Sequence, residues 1–222
     1  MEGKKDSTQD IKKRASKVYK TLNKIHPVSR TALLHRNPFQ LLVATILSAQ
    51  CTDKQVNKVT PALFKKYRTV KEFGESDQTE LESLVKSTGF YKSKARYIKG
   101  SSLKILSDFK GKVPKTMEEL ITLPGVARKT ANIVLSSAFG INEGIAVDTH
   151  VKRVSYRLGL TEHKDPVKIE KDLVKLIPKA DWDKFSLLLI YHGRDTCFAR
   201  KPKCSECPFK KICPKTDVTN SS

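Results

Sequence analysis

Four of the chain's five cysteines lie close together near its C-terminal end, in the spacing C-x6-C-x2-C-x5-C. They are Cys197, Cys204, Cys207 and Cys213. Thiolates this close to one another need a cation to hold them, so the spacing predicts that all four bind a metal centre. Zinc and a [4Fe–4S] cluster both take four cysteines, and the spacing alone does not decide between them. The fifth, Cys51, is expected to be a small packed side chain.

The gaps within this cysteine loop, residues 197–213, are basic. Arg200, Lys201 and Lys203 lie in the first gap, and further lysines follow in the last. A loop fixed by a metal would present these cations to a phosphate backbone in a set geometry. We therefore expect Arg200, Lys201 and Lys203 to contact nucleic-acid phosphates; the alternative is an ordinary solvated surface.

The whole chain is strongly basic, with 43 Lys and Arg against 23 Asp and Glu and a formal charge of +20. Such an excess favours a nucleic-acid partner, because each neutralised phosphate releases counterions. General solubility is the alternative use of the charge. No apolar run approaches the ~20 residues of a membrane-spanning helix, and the polar start MEGKKDSTQD lacks a secretory signal's apolar stretch. We expect an intracellular, DNA-associated protein, in the cytoplasm or nucleoid if the source is prokaryotic.

Apolar residues recur at helical spacing along the chain, and no stretch shows the period of two that is typical of strands. Residues Ile11, Ala15, Val18, Leu22 and Ile25 form one such stripe. Helix starts are expected at the capping residues Asn37, Thr116, Asp148, Asp165 and Asp181, and the last helix is expected to end at Gly193. The sequence therefore predicts an all-α fold. The first ten residues and the tail TDVTNSS are expected to be loose.

The stretch LPGVARKTA combines a glycine turn, cations and the start of a helix over residues 129–139. A helix N-terminus offers free backbone N–H groups and a positive dipole end to an anion. A nucleotide-binding P-loop is excluded, because the stretch follows a helix and lacks the second glycine of that motif. A helix–hairpin–helix that grips a DNA phosphate fits the pattern better.

Several ordered motifs carry a family resemblance: LLVATILSAQCTDKQVNKV, GFYKSKA, LPGVARKTANIVL, VDTHVKR and the cysteine spacing. From about residue 30 to 214, the chain resembles the endonuclease III family of DNA glycosylases. The resemblance implies two lobes: residues 31–141 as a six-helix barrel-like domain with the hairpin, and residues 1–30 with 142–222 as a discontinuous helical domain. It also implies a [4Fe–4S] cluster on the four cysteines, a monomer, and a partner that is double-stranded DNA with damaged bases or abasic sites.

The resemblance assigns Lys129 and Asp148 as catalytic residues of a glycosylase and abasic-site lyase acting on oxidised pyrimidines. A stacked base must first be flipped out; an amine then attacks C1′, and the resulting imine permits β-elimination of the 3′ phosphate. That amine must be neutral, and the helix dipole, the adjacent Arg128 and burial are expected to disfavour the Lys129 cation. Asp148 would stabilise the sugar cation and shuttle a proton, although it is also a good helix cap.

By the same resemblance, Gln50 fills the gap left by the flipped nucleotide and Phe90 wedges against the opposite strand. Without it, Gln50 would be a helix-end polar residue and Phe90 ordinary core. Gly125 and Ala127 lie in the hairpin that binds phosphate. The family usually has glycine where this chain has Ala127, and a left-handed alanine would cost roughly 1 kcal/mol.

Two other functions compete with this one. The first is a mismatch-specific adenine or thymine/uracil DNA glycosylase without lyase activity, whose members typically lack a lysine at the position of Lys129. The second is a metal-stapled DNA-binding protein without catalysis, against which the presence of both Lys129 and Asp148 argues.

Overall fold

The computed structural model describes residues 6–27 and 31–222, and every regular element in them is a helix. The all-α prediction is confirmed. The α-helices are α1 Thr8–Ile25, α2 Pro38–Leu47, α3 Asp53–Lys66, α4 Val70–Gly74, α5 Gln78–Val85, α6 Tyr91–Phe109, α7 Met117–Leu120, α8 Arg128–Phe139, α9 Thr149–Arg157, α10 Pro166–Leu176 and α11 Trp182–Asp195. Short 3-10 helices span Lys86–Thr88 and Lys179–Asp181.

The chain divides into two compact units. The contiguous unit is residues 31–143 and holds α2 to α8 around one apolar core. Its central element is α2, of whose ten residues eight are buried. The helices α6 and α8 both pack against α2, and α4 and α5 pack against α6. Burial of α2 on nearly every face explains why its sequence has no polar side.

The discontinuous unit is residues 1–30 together with 144–222. Its core joins α1 to α9, α10 and α11. The predicted stripe of α1 is the buried face of that helix, through Ala15, Val18 and Leu22. Ile25, at the end of the stripe, is exposed. The N-terminal helix therefore belongs to the core that the C-terminal half of the chain builds.

Most of the predicted helix caps are present. Asn37 accepts a hydrogen bond from the Gln40 amide at 2.9 Å, and Asp165 accepts from the Lys168 amide at 3.0 Å. Asp181 is the exception: its carboxylate makes no capping bond and instead accepts from the Tyr19 hydroxyl at 2.6 Å. The helix starts after Asp181 as expected, but the expected side-chain cap is wrong, because the backbone of Asp181 is not extended (φ −102°, ψ 1°) and one carboxylate oxygen accepts from Tyr19.

Two expectations about ends are also wrong. The last helix does not stop at Gly193 but continues to Asp195. The tail is tied down rather than loose, since Ser222 donates its amide to Pro202 O at 3.0 Å and accepts from the Ser205 amide at 3.0 Å. At the other end, α1 already begins at Thr8, and residues 1–5 lie outside the described residues. None of the helices in the described ranges has the length and apolar character needed to cross a membrane.

Candidate functional site

The hairpin between α7 and α8 depends on a glycine. Gly125 has φ +76°, and a Cβ there would lie 2.6 Å from Cγ of Tyr97 on α6. The turn is also fastened to α6 by the Ser101 hydroxyl, which donates to Pro124 O at 2.7 Å. Backbone and packing therefore both require glycine at this position, and the turn is held rigidly against a long helix.

Ala127 is not strained. It is the residue before α8 and has φ −90°, in the extended region that any residue adopts. The expected cost of a left-handed alanine is therefore absent. The helix α8 begins directly after Ala127, so its N-terminus lies at the turn where the sequence predicted an anion site.

Lys129 is the second residue of α8 and its side chain is exposed. It stands at the positive end of the helix dipole, next to Arg128, as predicted. The expected burial of its side chain is wrong for the DNA-free protein. An exposed lysine at this place remains accessible to a large substrate.

Gln50 and Phe90 both have left-handed backbones, with φ 52° and 48°. Gln50 follows α2 and is exposed, and Phe90 precedes α6 with 66% of its surface exposed. The alternative that Phe90 is ordinary core is therefore wrong. A non-glycine residue in this conformation is uncommon and costs free energy. The unit has a third exposed instance, Lys110, which is the left-handed C-cap of α6.

The segment before Phe90 is held by a buried lysine that the sequence analysis missed. Lys94 is 3% exposed and donates from Nζ to Thr88 O at 2.7 Å. Burial lowers the pKa of Lys94, and the nearby Cys51 thiol, packed against the core as predicted, acts in the opposite direction. The available signal was its position on the apolar stripe of α6, four residues before the buried Ile98.

Asp148 caps α9. Its Oδ1 accepts from the Val151 amide at 2.8 Å, and the residue is only partly exposed. The capping function that the sequence offered is therefore confirmed. Because the backbone donor fixes one oxygen, the orientation of the whole carboxylate is set before any substrate binds.

The helix that Asp148 begins is fastened to α11 and to the cysteine loop. Arg153 donates from Nη2 to Gly193 O at 2.9 Å and from Nε to Cys197 O at 3.1 Å. Its Nη2 also lies 3.1 Å from Nδ1 of His150, which must accept because a guanidinium only donates. Burial lowers the pKa of His150, which favours the neutral ring. Gly193 lies inside α11 because a Cβ there would meet His150 Nδ1 at 2.9 Å.

The four clustered cysteines, Cys197, Cys204, Cys207 and Cys213, are free thiols that line one cavity. They surround it rather than converge: among the described residues, no three Cys, His, Asp or Glu side chains are placed to hold a single ion. Burial raises the pKa values of Cys207 and Cys213, so their thiolate forms need a positively charged partner. A [4Fe–4S] cluster binds each thiolate at a different iron, so it suits thiols that lie further apart than the ligands of a single ion.

Arg157, at the end of α9, is a second buried cation that the sequence analysis missed. It is 7% exposed and donates to Phe198 O at 2.6 Å and to Ala199 O at 2.9 Å. Its Nη1 also lies 3.5 Å from Cys197 Sγ. The loop is thus held at its first cysteine by Arg157, while the Lys215 amide donates to Cys213 Sγ at 3.3 Å beside the last. The thiols therefore fit a bound iron–sulfur cluster, with donors already aimed at sulfur.

The three predicted DNA-binding cations of the loop are exposed. Lys201 has φ 50°, and the Lys203 amide donates to Thr196 O at 3.0 Å. The Lys203 ammonium also lies 5.8 Å from the centre of the Phe198 ring. A backbone hydrogen bond therefore holds the loop between the first two cysteines in place. The side chains of Arg200, Lys201 and Lys203 are exposed on it.

Comparison with known proteins identifies the class. Residues 43–179 match the family model described as HhH-GPD superfamily base excision DNA repair protein. Residues 197–213, from the first clustered cysteine to the last, match the model described as iron–sulfur binding domain of endonuclease III. The helical fold, the hairpin and the cysteine loop together thus define a base-excision DNA repair protein with an iron–sulfur centre.

Similar proteins narrow this class. The chain is 55% identical to endonuclease III of Synechocystis sp. over 94% of this chain and 95% of that protein. It is 48% identical to endonuclease III of Bacillus subtilis over 84% of this chain and 85% of that protein. A solved structure described as a non-covalent endonuclease III–DNA complex is 44% identical, covers 92% of this chain and 95% of its own, and superposes with a TM-score of 0.88. The chain belongs to the endonuclease III family.

Family membership confirms the resemblance seen in the sequence. The protein is a base-excision-repair DNA glycosylase and abasic-site lyase that binds DNA. Its cofactor is a [4Fe–4S] cluster, which decides between the two metal centres that the cysteine spacing left open. A thermostable thymine-DNA glycosylase, 24% identical with a TM-score of 0.83, shares the fold.

Proposed function

We propose that the protein excises oxidised pyrimidines from double-stranded DNA and that Lys129 is its nucleophile. The observation that carries this proposal is the position of Lys129, exposed in the first turn of α8 directly after the phosphate-binding hairpin. A relative of 44% identity has been solved as a trapped endonuclease III–DNA covalent intermediate, and such an intermediate needs a nucleophile on the protein. An amine nucleophile accounts for both activities, because its attack releases the base and the imine that it forms permits strand cleavage.

The chemistry follows from what an amine can do at a sugar. The flipped nucleotide exposes C1′, and neutral Nζ of Lys129 forms a bond there as the C1′–N bond to the base breaks. The departing base takes up a proton. The amine then loses a proton, the C1′–O4′ bond breaks and O4′ takes up a proton, which leaves an imine. Removal of a C2′ proton then expels the 3′ phosphate.

Asp148 is proposed as the carboxylate that stabilises the cationic sugar and carries the proton. Its capping bond supports this assignment, because a carboxylate already fixed by a backbone donor does not have to reorganise as the charge develops. His150 is not assigned a chemical step. Its ring accepts from Arg153 and keeps α9 in register with α11.

The DNA contacts are proposed from exposure and backbone geometry. Gln50 and Phe90 are exposed left-handed residues suited to entering the duplex when a nucleotide leaves the stack. The backbone at Gly125 and Ala127 offers amides to a phosphate, and the cations Arg200, Lys201 and Lys203 offer charge to the neighbouring backbone.

Cys197, Cys204, Cys207 and Cys213 are proposed as the four ligands of the cluster. When bound, the cluster supplies a rigid, charged anchor for the loop. Residues 31–141 are proposed as the hairpin lobe, and residues 1–30 with 142–222 as the lobe that carries the cluster. The protein is proposed to act as a monomer, inside the cell and on its DNA.

Duplexes that each contain one defect test the substrate class. We expect release and nicking at an oxidised thymine, nicking at an abasic site, and no release at a G·T mismatch or at adenine opposite oxidised guanine. Borohydride present during the reaction should trap protein on the first two duplexes. Base release at either mismatch without strand cleavage would instead establish the mismatch-specific alternative.

A further inference from the structure

The contiguous unit contains an open cavity of about 590 Å3 that none of the proposed DNA contacts lines. We propose that this cavity, called here the basic cavity, binds an acidic protein segment through one aromatic or large aliphatic side chain and the carboxylates around it. The lining residues that carry this proposal are apolar Phe39, Leu106, Val113 and Phe139 and cationic Arg68, Lys71, Lys112 and Lys115.

The charged residues that line the basic cavity are all cations, although the Glu72 carboxylate beside them accepts from the Arg68 amide. Within residues 6–27 and 31–222, the cavity is lined by no carboxylate, and its four cations are exposed. Neither Lys112 nor Lys115 forms an ion pair in that part of the chain, and Lys71 has a weak, exposed pair with Glu75 at 3.8 Å. Four cations around one opening attract an anionic partner and raise its rate of association.

The apolar residues make a protein segment a better occupant than a nucleic-acid backbone. The basic cavity includes Phe39, Leu106 and the ring of Phe139, and Lys115 Nζ lies 5.2 Å from the centre of that ring. Phosphates need cations and amides, but they gain nothing from an apolar floor. A buried aromatic or aliphatic anchor with charged neighbours is the usual composition of a small protein-binding hot spot. The volume also falls in the range of ordinary ligand pockets.

The basic cavity lies at the far ends of the helices that carry the proposed DNA contacts. Pro38 begins α2 at the cavity, and Gln50 follows the other end of that helix. Phe139 ends α8 at the cavity, and the hairpin precedes its start. On α6, Phe90 precedes the first residue and Leu106 lies in the last turn. At 1.5 Å per residue, these helices separate the two ends by about 15–25 Å.

This separation has a functional meaning. A segment in the basic cavity would not need to displace DNA from the hairpin, from Gln50 or from Phe90. The site therefore suits a partner that holds the enzyme while it works, rather than an inhibitor that competes with substrate. The cavity does not depend on the proposed chemistry, so a failure of either proposal would leave the other standing.

The test uses the whole protein with its cluster and a fluorescent synthetic peptide of aspartates around a Phe–Leu pair. We expect binding on the order of 10 μM at physiological ionic strength, as for a small interface. Lys112→Glu with Lys115→Glu should weaken it at least roughly tenfold. The matched control is Lys17→Glu with Lys20→Glu, which makes the same charge change on exposed residues of α1 and should leave the affinity within about twofold.

Four outcomes can overturn the proposal. Equal binding by a peptide with alanines in place of Phe and Leu would show attraction to any polyanion, and equal loss in the α1 control would show the same. Loss of single-stranded oligothymidine binding in Lys112→Glu with Lys115→Glu, without loss of peptide binding, would assign the basic cavity to nucleic acid. Displacement of the peptide by abasic-site duplex would contradict simultaneous binding. Support requires anchor dependence, loss in the cavity variant alone, and peptide binding to the DNA-bound enzyme.

Discussion

Lys94 Nζ donates a hydrogen bond to Thr88 O at 2.7 Å, so a buried ammonium fixes the two residues that lead into the left-handed Phe90. Replacement of Lys94 by methionine keeps the apolar stem but leaves that carbonyl buried without its donor. We expect Lys94→Met to weaken binding to abasic-site duplex roughly tenfold, because the wedge is no longer held in place.

A double-mutant cycle with Phe90→Ala tests whether Lys94 acts through the wedge. If it does, the two losses are not additive, and the double variant binds about as weakly as Phe90→Ala alone. Losses that multiply in the double variant would instead show that Lys94 acts independently of the wedge. The thermal midpoint and the affinity for undamaged duplex are measured for each variant as controls for folding and for general DNA binding.

Lys129→Gln should abolish borohydride trapping and strand nicking, because glutamine keeps length and polarity but cannot form an imine. Binding to damaged duplex should stay within about threefold, since the hairpin amides and the cysteine loop still hold phosphates. The matched control is Lys65→Gln, which removes one exposed lysine charge from the end of α3. Trapping of Lys129→Gln at the normal yield would mean that another amine is the nucleophile.

Asp148→Asn separates the cap from the charge. Asparagine can still accept from the Val151 amide, so the thermal midpoint should change little. Base release should nevertheless slow by about 10²–10³-fold, which is roughly 3–4 kcal/mol of lost transition-state stabilisation. Asp165→Asn makes the same change at the cap of α10 and should be silent in both measurements. Equal rates for Asp148→Asn and the wild type would remove Asp148 from the chemistry.

Arg157→Met should make the cluster labile. Two carbonyls of the cysteine loop would lose their donors, at about 1–3 kcal/mol for each that stays buried, and the Cys197 sulfur would lose a nearby cation. The decay of visible absorption in the presence of a chelator should quicken at least roughly tenfold. Lys211→Met, an exposed cation of the same loop, is the control and should decay like the wild type. Unchanged decay in Arg157→Met would show that the loop does not depend on this arginine.

Tyr67 makes the stability of the contiguous unit depend on alkaline pH. Burial, and then the hydrogen bond to Glu80 Oε2 at 2.6 Å, raise the pKa of Tyr67 to about 12 from 10.0. The unfolded chain therefore loses this proton first, and stability falls as pH rises through that interval. Relative to Tyr67→Phe, the wild type should lose about 1–2 kcal/mol of unfolding free energy as the pH rises from 10 to about 12. Urea unfolding measures this difference at each pH. A difference in unfolding free energy between the wild type and Tyr67→Phe that stays constant with pH would contradict the raised pKa of Tyr67.

The features that could be predicted from the sequence are those that depend on short stretches of the chain. Apolar stripes, capping residues and the cysteine spacing located the helices and the metal centre, because each of these signals lies within a few neighbouring residues. Ala127 shows the limit of such reasoning. The family pattern suggested strain there, whereas the chain places an extended residue at that position and leaves the left-handed backbone to Gly125.

Buried cations show a different limit. Lys94 and Arg157 both stood on apolar stripes, which signalled that each needed a partner, but the partners are backbone carbonyls. Any residue offers a carbonyl, so no sequence pattern reveals which one is used. For Arg157 the acceptor lies forty-one residues along the chain, in a loop whose shape depends on the rest of the unit. Asp181 was misjudged for the same reason, since its acceptor oxygen is taken by the distant Tyr19.

The division of the core has a consequence for the order in which a nascent chain can fold on the ribosome. The apolar face of α1 is synthesised before the contiguous unit, yet its partners α10 and α11 follow that unit in the chain. The contiguous unit between them draws its core from residues 33–135 and can close as soon as that length has emerged. Until α10 and α11 have emerged, Ala15, Val18 and Leu22 stay uncovered. The helix α1 is thus made before the contiguous unit but buried after it, and the interval of exposure is set by the rate of elongation.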